Sequence, residues 1–116
     1  MKKMLDDKAR LQHIFDAIIE IEGYMENRTE SDFFSNSMLH SACIRQLEII
    51  GEAAGRVSEE TRAESADIPW KEVVGLRNVL IHEYFGVDLD LVFDVIQTDM
   101  PKLKNGIRAL LDAQPE

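Results

Sequence analysis

Leu11, Ile14, Phe15, Ile18, Ile21 and Met25 recur at intervals of three and four residues, and no segment settles into the apolar–polar alternation of a strand. A stripe of that period can be buried only as one face of a helix, so the pattern predicts a first helix over about 6–26. A second reads over about 37–60, with Leu39, Cys43, Leu47, Ile50, Ala54 and Val57 on its inner line. Gly51 and Gly55 stand one turn apart on it and form a strip of small residues where a neighbouring helix can approach closely. Between these two helices, NRTESDFFSNS reads as a polar connection whose two phenylalanines tuck back onto the bundle.

Asp67 as an N-cap and Pro69 in the first turn announce a third helix, which turns Trp70, Val73, Leu76 and Leu80 inward. Its end is expected at Phe85–Gly86, where glycine can take the left-handed terminal conformation. Asp88 caps a fourth helix with Leu91, Val92, Val95 and Ile96 inside. Pro101 either kinks that helix or restarts it before Leu103, Ile107, Leu110 and Leu111. The fold class is therefore all-α: one domain over 1–116, a compact up-and-down bundle of four to five helices.

Charge and cysteine usage bound the function. The 13 Lys and Arg against 22 Asp and Glu give a formal charge of −9. That balance opposes broad binding along a phosphate backbone, which needs many basic contacts, but leaves room for one local cationic cleft. A lone Cys43 among apolar neighbours reads as a buried structural thiol in a reducing compartment. No apolar run approaches the ~20 residues that span a bilayer, so the expectation is a cytoplasmic protein with no membrane contact.

Metal and nucleotide motifs are missing from the sequence. Di-metal helical bundles use Glu-x-x-His pairs, but Arg10, Ser37 and Val79 stand three residues before His13, His40 and His82. No zinc spacing, Walker loop or dinucleotide fingerprint is present, and no cofactor is expected. His13 and His40 read as plain surface histidines. Glu48 and Glu52 form an i,i+4 acidic pair that Arg45 or an arginine of a neighbouring helix could offset.

One stretch, RNVLIHEY (77–84), places chemistry on an otherwise apolar helix. Arg77 and Tyr84, seven apart, nearly share a face, and Asn78 and His82, four apart, share another. Arg77 and His82 lie about 140° apart around the axis, so a simple stripe does not unite them. The stem of arginine covers part of that gap, and a second copy of the helix across a two-fold axis could cover the rest. Histidine moves protons near neutral pH and guanidinium grips phosphate oxygens. The pair suits RNA cleavage without metal, in which a ribose 2′-hydroxyl attacks the adjacent phosphate. From spacing alone, a solvated helix edge explains the same residues.

RNVLIHEY has the form Arg, four residues, His, one residue, Tyr, and it resembles the motif of the HEPN superfamily. IRQLEIIGEAAGRVSEE, IPWKEVVGLRNVLIHEYFGVDLDLVFDVIQTDMPKLK and the opening DDKARLQHIFDAIIEIEGY are similar to HepT, the toxin of HepT–MntA toxin–antitoxin pairs, so the likeness covers most of the chain. The resemblance implies an all-helical homodimer whose two motifs line a shared cleft. It implies a metal-independent RNA endonuclease, the toxin of a type VII-like pair, with Arg77 and His82 in the catalytic positions and Asn78 in support. Tyr84 matches the tyrosine to which the partner, a minimal MNT-type nucleotidyltransferase antitoxin, transfers AMP from ATP. Adenylate beside Arg77 would compete with RNA phosphate for the same cation. Two other readings stand beside this one. One is a noncatalytic helical dimer that presents Tyr84 to a nucleotidyltransferase or binds a nucleotide, and the other is a purely structural bundle.

Overall fold

A computed structural model describes the backbone of residues 2–82 and 88–114, and the side chains of 6–76 and 88–114. Over the described residues the chain is helical and contains no strand. Its helices are α1 (Lys2–Met25), α2 (Glu30–Ser35), α3 (Ser37–Gly55), α4 (Glu59–Ala63), α5 (Trp70–His82), α6 (Leu89–Asp94) and α7 (Met100–Ala113). A π turn over Val95–Asp99 joins α6 to α7, so four long helical runs carry the bundle and two short helices join them. This is the all-α bundle that the apolar periods call for.

The core is the sum of those periods. Leu11, Ile14, Ile18 and Ile21 of α1 meet Cys43, Leu47 and Ile50 of α3 and Ile107 of α7, and all are essentially excluded from water. Each fully buried aliphatic side chain contributes roughly 1.5–3 kcal/mol relative to exposure. α1 runs antiparallel to α3: Gln46 donates to the Tyr24 hydroxyl at one end, and Ser58 bonds to Asp7 at the other. It also runs antiparallel to α7, with Lys104 bonded to Glu22 at 2.9 Å and Arg108 over the Phe15 ring. α5 packs on the other flank of α3.

Local chemistry explains where the elements differ from the sequence expectation. The 29–36 connection is not irregular. Thr29 and Asp32 form a reciprocal capping box that starts α2 and places Phe33 in the core. The bond from the Thr29 backbone N–H holds the Asp32 carboxyl below its ordinary value. The long second helix stops at Gly55 rather than near Glu60, because Ser58 caps a new one. Its hydroxyl accepts from the Thr61 N–H, and Glu59 and Glu60 sit in the first turn of α4, where acids are favoured.

Asp67 does not cap α5; its carboxylate accepts from the Ser65 hydroxyl at 3.0 Å. Ile68 precedes a proline and is steered away from helix, so α5 begins only after Pro69, whose carbonyl accepts from Val73. The expected end at Phe85–Gly86 lies outside the described residues. Asp88 does cap α6, accepting from the Asp90 and Leu91 amides.

Pro101 restarts the helix, one of the two outcomes expected of it, and stands in the first turn of α7. It has no N–H to close the ladder, and the turn just before it widens so that the Met100 N–H bonds Val95. The inner line runs through Val92, Ile96 and Met100, four residues apart, and Leu91, expected inside, is 47 % exposed. Further along, Gly106 lets α7 close on the α4–α5 connection. A Cβ there would sit 2.7 Å from Ile68 Cδ1.

Candidate functional site

α5 is rooted by an arrangement that no sequence motif announces. Trp70, at its first turn, donates its indole N–H to the Ser65 carbonyl at 3.1 Å. The Arg62 guanidinium lies 5.8 Å from the centroid of the Trp70 ring, and its Nη2 donates to the Ala54 carbonyl at 2.8 Å. One cation therefore satisfies a carbonyl in the last turn of α3 and stacks on the start of α5. An arginine eight residues before a tryptophan is too common a spacing to signal such a contact.

The small-residue strip of α3 performs as its sequence suggests. Gly51 is buried, and the position that a Cβ on Gly55 would take lies 3.8 Å from Val74 of α5. The two helices can therefore approach closely, and α3 gives α5 a firm seat. Arg77, Asn78 and His82 all lie on the α5 backbone, with His82 as its last residue. Tyr84 lies outside the described residues.

Beside α5, on the flank of Glu72, Val73 and Leu76, runs a groove of about 520 Å³ bounded opposite by Val95, Met100 and Leu103. Its lining is mostly apolar, and it carries the carboxylates of Asp67, Glu72 and Asp99 against one cation, Lys102. Phosphate is unwelcome there on electrostatic grounds.

The remaining sequence candidates divide by burial. His13 is exposed, as expected. His40 is not a plain surface histidine: its Nδ1–H donates to the Phe33 carbonyl at 2.9 Å and its ring packs edge-on against Phe33. Cys43 is fully buried, and burial pushes its thiol up to about 11. Glu52 is offset by Arg56, one turn on, at 3.6 Å. Among the described residues, no group of three His, Cys, Asp or Glu side chains is placed to hold a metal ion, and no helix is long and apolar enough to cross a membrane.

Asp7 is the residue whose part the sequence conceals most. Its buried carboxylate accepts from the Ser58 N–H at 2.9 Å, the Ser58 hydroxyl at 2.5 Å and the Thr61 hydroxyl at 2.6 Å. It ties α1 to the start of α4 and so to the segment that roots α5. The signal that could have found Thr61 and Ser58 is the cap pattern Ser-Glu-Glu-Thr, but nothing in it points to residue 7.

With the fold and the α5 placement in view, comparison with known proteins identifies the class. The chain matches the family described as Ribonuclease HepT-like over residues 14–110. It is 39 % identical over 102 residues to "Putative RNase MJ1380" of Methanocaldococcus jannaschii, covering 94 % of that protein. It is 36 % identical over 103 residues to "Probable ribonuclease HepT" of Thermococcus cleftensis, again covering 94 %. A longer M. jannaschii relative, "Gamma-glutamylcyclotransferase and putative RNase MJ0434", is 45 % identical over 107 residues, and this chain spans about half of it, 48 %. No solved structure matches the chain. The chain belongs to the HepT-like ribonuclease family, within the HEPN superfamily.

Proposed function

We propose that this chain is a metal-independent RNA endonuclease that acts as a homodimer, with Arg77 and His82 as its catalytic pair. The observation that carries the reading is the placement of Arg77, Asn78 and His82 on one unbroken helix, seated on α3, in a chain of the HepT-like ribonuclease family. Arg77 and His82 are about 140° apart around that helix, so two copies of α5 meeting across a two-fold axis assemble a site that one copy spreads apart.

The chemistry follows from the residue types. Neutral His82 takes the proton of a ribose 2′-hydroxyl as its oxygen bonds to the adjacent phosphorus. The bond from phosphorus to the 5′-oxygen breaks, and the protonated His82 of the second copy supplies that oxygen with a proton. Arg77 stabilises the extra negative charge of the five-coordinate state, and Asn78 orients the phosphate or the imidazole. The products are a 2′,3′-cyclic phosphate and a 5′-hydroxyl.

The same reading makes the chain the toxin of a toxin–antitoxin pair. A cognate nucleotidyltransferase transfers AMP from ATP to the Tyr84 hydroxyl, and the adenylate phosphate then occupies the cation that RNA requires.

Purified, unmodified protein in EDTA should cut RNA, and His82→Ala should lower the rate by about 10²–10⁴-fold. Cutting that survives the substitution would falsify the role of His82. The charge of −9 favours one rival, a noncatalytic dimer that only presents Tyr84 to the transferase. That rival gains an AMP-sized mass increment at Tyr84 with no RNA cleavage from the unmodified chain.

A further inference from the structure

In a chain this acidic, the cations that remain uncommitted are informative. Lys104 bonds both oxygens of Glu22, Arg62 is spent on the Ala54 carbonyl and Trp70, and Arg108 covers Phe15. Arg10 and His13, like Lys8, Arg45, Lys71 and Lys102, make no hydrogen bond or ion pair with any described residue. Arg56 has one loose partner, Glu52 at 3.6 Å, with both side chains about half exposed at 58 % and 49 %.

Of these cations, Arg10, His13 and Arg56 converge. Arg10 and His13 lie one turn apart on α1, Glu52 and Arg56 one turn apart on α3, and together they line a surface pocket of about 200 Å³ floored by Ile49 and Ala53. We infer that this α1–α3 pocket is a phosphate subsite that grips the RNA backbone away from the α5 motif. The inference rests on the ribonuclease reading and adds to it the path of the substrate. Two guanidinium groups offer paired donors to one phosphate, and the imidazole N–H adds a further donor. Glu52 keeps Arg56 turned along α3, and its single charge leaves the pocket net positive.

Position supports the assignment as much as charge does. Arg56 follows Gly55, the residue that lies against Val74 of α5. The pocket therefore sits about one helix width, 10–12 Å, from the α5 backbone. A few nucleotides of extended strand cover that distance. The other groove beside α5 carries Asp67, Glu72 and Asp99 against a single cation, Lys102, so its net negative charge disfavours a phosphate chain. A strand leaving the motif is thus steered across α3 and onto Arg56, Arg10 and His13.

The test uses the full chain and a 2′-O-methyl RNA decamer, which binds but lacks the attacking hydroxyl. Affinity is measured across salt concentration for the unaltered protein, the Arg10→Gln/Arg56→Gln double variant and a Lys102→Gln control. The double variant should weaken binding on the order of tenfold at low salt and flatten the log-affinity against log-salt slope by about 0.7, the value for one lost phosphate contact. With cleavable RNA it should raise KM while kcat holds. Arg56→Glu should weaken binding further. Unchanged affinity and slope in the double variant would overturn the subsite and leave the ribonuclease reading intact. An equal loss in Lys102→Gln would also overturn it, by showing diffuse attraction in place of a site. Arg10- and Arg56-dependent binding by a chain that never cuts RNA would uphold the subsite and sink the ribonuclease reading. No RNA binding by the unaltered chain would end both.

Discussion

Replacing Asp7 by alanine would strand three donors at once: the Ser58 amide, the Ser58 hydroxyl and the Thr61 hydroxyl. Buried donors left unpaired cost about 1–3 kcal/mol each before relaxation, so Asp7→Ala should lower the unfolding free energy in urea by about 3 kcal/mol. A loss within a few tenths of a kcal/mol would mean that water readily replaces the carboxylate. Cys43 makes a different prediction. Its thiol holds its proton to about 11 in the fold, against 9.0 when unburied, so the unfolded chain ionises first as pH rises. Stability should therefore fall between pH 9 and 11 and level off above, and Cys43→Ser should remove that slope. At pH 8 a disulfide reagent should label the thiol only as fast as the chain opens. These two residues also mark what a sequence discloses. Cys43 is legible because its apolar neighbours are its burial, whereas Asp7 looks like any helix acid until residues 51 and 54 positions away fold onto it.

Elements are specified by their ends as much as by their stripes. Two helical glycines separate propensity from packing. Gly23 of α1 has nothing within 4 Å of an added Cβ, so Gly23→Ala should stabilise by about 0.5–1 kcal/mol. Gly106 of α7 has Ile68 carbons at 2.7 and 2.8 Å from the same point, and Gly106→Ala should destabilise despite the better helix former. Thermal melts of both variants check the pair, and opposite signs are required. The stripes of α1, α3 and α7 are readable because each faces a partner along its length. α2 and α4 are not, because a turn or two of helix leaves no period to count and only the caps at Thr29 and Ser58 declare them. Leu91 escapes for a simpler reason: it stands about 100° around the axis from Val92, on the side away from Ile96 and Met100, and so falls at the edge of the stripe. At the candidate site, the motif residues stand out only through their resemblance to the HEPN pattern, since spacing alone fits a solvated helix edge, while the root of α5 in Trp70, Arg62 and Ser65 depends on contacts that close only in three dimensions.

At the scale of the whole molecule, one copy presents a slab of 46 × 30 × 21 Å with α5 along one flank and a half-open apolar groove beside it. If the α5 helices meet as proposed, sedimentation at micromolar concentration should give twice the 13.3 kDa chain mass, and a persistent monomer that still cuts RNA would remove the composite cleft. The pairing of the first and last helices has a consequence for the chain as it is made. α1 offers Leu11, Ile14, Ile18 and Ile21 to a core that Leu103, Ile107 and Leu110 of α7 complete. After α3 leaves the ribosome, α7 emerges only after roughly 3–12 s of further elongation. Throughout that interval the nascent chain holds α1 against α3 with one apolar side wet. The bundle is sealed by its final helix, so a ribosome that stalls before it delivers an open and aggregation-prone fragment in place of a folded domain.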